Sequence, residues 1–512
     1  MKSTSTFDPA LPVKVLLERF PQIQPVLAAR GLDTCCGGEH PLVQACAAKG
    51  VPLEKVLREC ERARLTPPAL AVPANAGAPA PFSPHFLIAS LVLTLTLGAT
   101  TGMVNLLRIA AGGDVAMDHR QIHGHTQILG FAAMFLMGIA YHALPRVLGL
   151  AGFKPAGARP AFWLMLSGVL LRNLGQPFGF FPWGRAASLL SAGLEIAAGL
   201  LFARFVFTAL AAGQTGKYDR SDWLYRFVRA GTLYLLMTLG VLAAQGVWLA
   251  GHLETDLPVS LSEPFTFASL YGFLLAWIYG FGSRMVSMFL GTGPSRNMLT
   301  GIALRTQASG VLLALASWLP FLPDAAALAL RDTALALVAI SALAYLAGHG
   351  FLWRRPVFPA MRAPGAPTVA IRAAFGFLGL WALLELAAVL LSRFTTLPAQ
   401  NSWWADAARH IFSIGFLTLL IVGMSLRVLP VFTGKRLWSP RLAYVTYVLV
   451  IGGAAMRLLQ YPAAFYPVFY EIGSYMGIPV VLALVLFTAN LVFTMRSRPP
   501  GPSAALPTPP AG

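Results

Sequence analysis

HGHTQILGFAAMFLMGIAYHALPR, residues 123–146, is an apolar run with histidines at both ends. At helical rise it spans a bilayer core of about 30 Å. Imidazole is costly in lipid, so His123 and His125 at one end and His142 at the other each call for a reason. Around it the chain is of one kind. It is 56% hydrophobic and 11% charged over 512 residues, where a soluble domain carries about a quarter charged residues. These figures imply an all-α polytopic membrane bundle.

From residue 85 onward, apolar segments of about 20 residues follow one another. Twelve are expected, near 85–109, 121–145, 160–181, 187–212, 228–251, 265–290, 300–321, 326–349, 370–392, 405–429, 441–460 and 468–494. No internal repeat is apparent. A small soluble helical domain (1–64) precedes them, then a Pro/Ala-rich linker (65–84); a Pro-rich tail (496–512) follows the membrane part (85–495). The polar start MKSTSTFDPALPVK is no signal peptide.

The net charge of +18 sits in short loops between apolar runs, which argues against nucleic acid and for a lipid partner. Loops after even-numbered spans carry Arg146, Lys154 and Arg159, then Lys217 and Arg220, and later Lys435 and Arg436. GHLETDLPVSLSEP (251–264), after the fifth span, has no Lys or Arg. The positive-inside rule then places both termini in the cytoplasm, in a bacterial-type inner membrane. All four cysteines (35, 36, 46 and 60) lie in the first domain, in a reducing compartment where metal or redox chemistry outranks structural disulfides. Vicinal Cys35 and Cys36 suit such a role better than a strained disulfide.

On this topology His119, His123, His125, His252 and His410 fall toward the outer side, and His142 and His349 toward the cytoplasm. Imidazoles from two facing helices hold haem iron, and copper and non-haem iron also take them. His123, His125 and His410 are the candidate cofactor ligands, with His119 and His252 as further metal candidates. Intramembrane Glu195 and Glu385 are candidates for proton transfer or for orienting a ligand histidine. Arg284 and Arg427 are candidate partners of a propionate or substrate anion, against plain snorkelling.

GLDTCCGGEHPLVQACAAKGVPLEKVLREC (31–60) resembles the short N-terminal domain of ScdA/RIC-type iron–sulfur-cluster repair proteins, through Cys35, Cys36, Gly37, Gly38, Leu42, Ala45 and Cys46. That family's di-iron domain is absent, so repair activity does not carry over. The membrane part resembles the NnrS family in HGHTQILGF (123–131), YGFLLAWIYGFGSRMVSMFLG (271–291) and ARHIFSIGFLTLLIVGMSLRVLPVFTGK (408–435). This resemblance implies a twelve-helix protein with b-type haem and copper, bound through His123, His125 and His410. It also implies a role in resistance to nitric oxide, with nitric oxide or an iron species derived from it as partner. The two resemblances together imply protection of cellular iron, beside a repair protein or electron donor. Two alternatives stand. A haem-copper oxidase or nitric oxide reductase subunit would need ligands on helices 6 and 7, and PFTFASLYGFLLAWIYGFGSRM and TGIALRTQASGVLLALASWLPF hold no histidine. A proton-coupled transporter would use Glu195 and Glu385.

Overall fold

The computed structural model describes residues 7–20, 23–32, 40–65, 84–150, 152–213, 222–293, 295–356, 365–394, 402–433, 435–463, 465–466 and 468–497. Cys35 and Cys36 lie outside them. Four short helices form the first unit: α1 (Val13–Arg19), α2 (Gln24–Ala29), α3 (Leu42–Ala48) and α4 (Leu53–Leu65). Their apolar faces close on Phe7, Leu16, Leu27, Leu42, Cys46, Val56 and Cys60. The Arg30 guanidinium Nε donates to Glu59 at 2.9 Å, tying the end of α2 to α4. Cys46 and Cys60 are free thiols within this core. Burial raises both, Cys60 to about 12, with Glu59 and Cys46 adding to the effect on Cys60. Cys46, a candidate for metal or redox chemistry, thus lies inside this core, where its thiol is held protonated. The unit meets the bundle where Lys14 donates to the carbonyl of Met288 and Arg436 donates to that of Arg19 at 3.4 Å.

The bundle follows. Its helices are α5 (His85–Ala110), α6 (Met117–Val147), α7 (Ala158–Gly175), α8 (Pro182–Gly213), α9 (Trp223–Gly251), α10 (Val259–Leu290), α11 (Asn297–Ala316), α12 (Asp324–His349), α13 (Pro367–Ser392), α14 (Trp404–Pro430), α15 (Pro440–Ala463) and α16 (Glu471–Arg496). Eleven of the described helices are long and apolar enough to cross a membrane. The twelfth expected span, α7, is present as a helix but is not among them: it is short and carries Arg159, Arg172 and Asn173.

The helices are unequally placed. Buried residues make up 83% of the apolar window in α6 and 72% in α10 and in α14, against 39–50% in the other eight. The interior helices are thus the second, sixth and tenth. Each carries the same pattern, Gly-Phe-x6-Gly: GFAAMFLMG (130–138), GFLLAWIYG (272–280) and GFLTLLIVG (415–423). In each, the second glycine abuts the helix just before it in sequence. A Cβ on Gly138 would lie 2.6 Å from Phe86 Cβ, one on Gly280 2.9 Å from Val228 Cγ2, and one on Gly423 3.0 Å from Ala370 Cβ. Three copies of one motif, four helices apart, thus mark the three interior helices, where no internal repeat was expected. The spacing of 142 or 143 residues between short motifs hid it.

All three interior helices contain π-helical stretches: Thr126–Ala133 in α6, Ala268–Leu274 and Gly282–Val286 in α10, and Ile411–Thr418 in α14. A further one, Thr94–Gly98, interrupts α5. Such wide turns free carbonyls and shift side-chain register, and they gather at functional sites.

Candidate functional site

The π stretches adjoin the histidines. That of α6 begins just after His125, that of α14 just after His410, and that of α5 ends at Gly98. His123 Nδ1 donates to the Gly98 carbonyl at 2.9 Å. His410 Nδ1 donates to the Asp406 carbonyl at 2.8 Å. A carbonyl only accepts, so each Nδ1 is the donor, which leaves Nε2 as the nitrogen for any further partner. The two rings face each other across the bundle with centroids 6.3 Å apart and planes 13° from parallel. Two imidazoles sharing one metal at metal–nitrogen distances of about 2 Å place their centroids roughly 6 Å apart. The 6.3 Å between the centroids matches that separation.

Room for His123 comes from α5. A Cβ on Gly102 would stand 2.4 Å from His123 Cε1. His410 is held from behind by charge. Arg457 donates to Asp406 Oδ2 at 2.7 Å, Gln460 donates to the same oxygen at 3.1 Å, and Asp406 Oδ1 stands 3.3 Å from His410 Nδ1. Beside it, Arg409 donates to Glu263 at 3.0 Å, joining α14 to α10. Sequence reasoning missed Asp406, Arg457, Gly98 and Gly102. Asp406 was detectable, since it precedes His410 by one helical turn; Arg457 comes from a different helix and had no local signal.

His125 does not join this pair. It lies two residues on and faces away, bonding Glu195 Oε1 through Nε2 at 2.8 Å. The ring stacks on Phe265, with centroids 5.6 Å apart. His125 Nδ1 and Glu195 Oε2 are buried without hydrogen-bond partners. Glu195 fits because Gly168 of α7 leaves its Cγ room; a Cβ there would come within 2.5 Å. Buried Arg172 donates nearby to Gln176 and Gln245. The repeat relates the two contacts. His125 and His410 each stand five residues before the first motif glycine, and His123 and Phe265 each stand seven before it. The same seat between interior helices thus holds His410 with His123 in one place and His125 with Phe265 in another.

The other expected residues are elsewhere. His119 lies on the first turn of α6, its amide bonded to Asp118. His252 is exposed, stacks on Trp248 at 3.7 Å and bonds that residue's carbonyl. Glu385 accepts from Trp381 Nε1 at 3.1 Å rather than from a histidine. Arg284 pairs with Asp222 at 3.5 Å and Arg427 lies over Phe289. Arg427 is about 25 Å along its helix from His410, so it cannot serve a group bound there. Arg457 and Arg409 are cations near His410. Among the described residues no three His, Cys, Asp or Glu side chains gather to hold a metal ion.

The sequence profile of the family described as NnrS protein matches residues 78–498. No curated protein matches the chain. The match begins beyond the cysteine-containing unit and covers the whole twelve-helix bundle, so the chain belongs to the NnrS family.

Proposed function

We propose that this protein holds a b-type haem between His123 and His410 and serves the response to nitric oxide. The observation that supports the reading is the imidazole pair, its centroids 6.3 Å apart and each ring fixed through Nδ1 to a backbone carbonyl. Bound there, haem would supply one-electron chemistry and an iron that responds to nitric oxide. Gly98, Gly102 and Asp406 hold the two rings at their separation, and Arg457 compensates the Asp406 charge. The loop charges put this end of the bundle on the outer side of a bacterial-type inner membrane, with the cysteine unit in the cytoplasm. That unit, similar to the ScdA/RIC N-terminal domain, would link the bundle to iron handling or to an electron donor. Copper would need a donor set beyond this pair.

An electron-transfer relative of the haem-copper oxidases is a second reading. It is favoured by the interior placement of the second and tenth helices that carry the pair. The lack of histidine on α10 and α11 opposes a binuclear centre.

The test is a reduced-minus-oxidised visible spectrum with metal analysis on detergent-purified protein. The haem signal should vanish in His123→Ala and in His410→Ala and persist in His125→Ala. Loss only in His125→Ala would move the ligand to the other seat. No haem in the wild type would end the reading.

A further inference from the structure

On the outside of the bundle, α8 and α9 leave a groove of about 500 Å3 between them, within the usual range of ligand sites. Its walls are apolar: Leu189, Leu190 and Ile196 of α8 face Ala243 and Val247 of α9. Leu189, Leu190 and Val247 are 46–66% exposed, so no other described element covers it. A Cβ on Gly193, between these walls, would meet nothing within 4 Å. From Ala186 to Ile196 the groove runs about 15 Å along α8, half of a hydrocarbon core of roughly 30 Å. It begins one turn inside the start of α8, so its mouth lies at the end of the bundle that the loop charges put outside. Arg185 stands at that mouth. Positions 185, 189, 193 and 196 recur at helical spacing, which sets Arg185 on the groove face of α8. Its Nη1 donates to the Gly179 carbonyl at 3.3 Å, and among the described residues it has no carboxylate partner. Next to it Phe178, Phe180, Phe181 and Trp183 are exposed and pack ring against ring. Exposed aromatic rings of this kind mark the headgroup level of a bilayer.

We propose that this groove is a phospholipid site. One acyl chain of an outer-leaflet lipid lies along it, and the phosphodiester pairs with the Arg185 guanidinium, whose planar fork suits phosphate oxygens. The groove has the depth of one leaflet, and the cation sits where that leaflet carries its phosphates. A second copy of the chain fits less well. Paired through this face about an axis normal to the membrane, two copies would bring Arg185 toward Arg185, and like charges repel. The inference needs only that the bundle spans a membrane and is independent of the haem reading.

The experiment titrates the full-length protein, delipidated in a phosphate-free detergent, with dioleoylphosphatidylglycerol and counts bound lipids by native mass spectrometry. The wild type should bind one lipid ahead of the rest. Affinity for that lipid should fall about fivefold in Arg185→Gln, the effect of one cation at a membrane surface. It should fall at least as far in Gly193→Phe, whose ring fills the groove. Dioleoylglycerol, with the same chains and no phosphate, should bind the wild type as weakly as the phospholipid binds Arg185→Gln. Arg204→Gln, about 28 Å further along the same helix, should leave binding unchanged. No first lipid distinct from the rest, or unchanged affinity in either Arg185→Gln or Gly193→Phe, overturns the proposal. A dimer that binds no such lipid and is broken by Gly193→Phe would give the groove to a second copy and overturn it too. Should Gly193→Phe not fold, Arg185→Gln and dioleoylglycerol decide.

Discussion

At the residue scale, the histidine pair depends on an atom that is missing. Gly102 leaves the space in which His123 sits, and a Cβ there would meet Cε1 at 2.4 Å and Nδ1 at 2.8 Å. In Gly102→Ala the ring must swing off the Gly98 carbonyl, losing the bond that sets its tautomer. We expect weaker haem retention together with overpacking of about 1–3 kcal/mol, read from the haem-to-protein ratio and from thermal unfolding in detergent. Unchanged values for both would show that the ring does not sit where it is placed here. The same scale explains why His123 and His125, both expected as ligands, meet different partners. Two residues apart on a helix point to different faces, and which face met His410 depended on partners that no local pattern names.

At the element scale, the π turns and the small cysteine unit make different demands. The π turns reposition carbonyls and side chains without proline, so nothing in the composition of TQILGFAA or IFSIGFLT announced them. In the cysteine unit, α3 and α4 place Cys46 and Cys60 inward by ordinary amphipathic spacing. Their raised thiols predict that an alkylating reagent at about pH 8 leaves both unmodified in the native chain, as peptide mass mapping would show. Modification of either without denaturant would contradict the packing. The sign of the pH dependence follows. Cys60 is raised from 9.0 to about 12, so its contribution to stability is full below pH 9 and is lost as pH rises toward 12. Glu59 is lowered from 4.5 by Arg30, so its small contribution is present above pH 4.5 and fades as pH falls below it.

At the scale of the molecule, the organising fact is repetition. Three glycine-marked helices, four helices apart, lie inside, and the chemistry sits where those helices meet. Substitutions at equivalent glycines should therefore cost alike. Gly138→Ala and Gly280→Ala should each destabilise the bundle by about 1–3 kcal/mol through overpacking against Phe86 and Val228. Gly376→Ala, with nothing within 4 Å, should not destabilise it. Thermal unfolding in one detergent compares them, and equal midpoints for all three would refute the tight interhelical contacts. The repeat also shows how one scaffold produces unlike seats, with His410 facing His123 in one and His125 facing Phe265 in another.

The sequence by itself determined the class of the protein. Apolar length is a local property, so the all-α membrane bundle and the place of its helices were legible along the chain. It even contained the Gly-Phe-x6-Gly repeat, unread because its copies are far apart. Only the tertiary structure decided which helices are interior, that His123 rather than His125 faces His410, that Glu195 answers His125, and that Asp406 and Arg457 stand behind His410. Only the tertiary structure set Arg284 beside Asp222 and Arg427 over Phe289. The face a side chain presents, and the residue from another helix that meets it, arise from helix rotation and packing across more than a hundred residues of chain. Local periodicity holds no record of that.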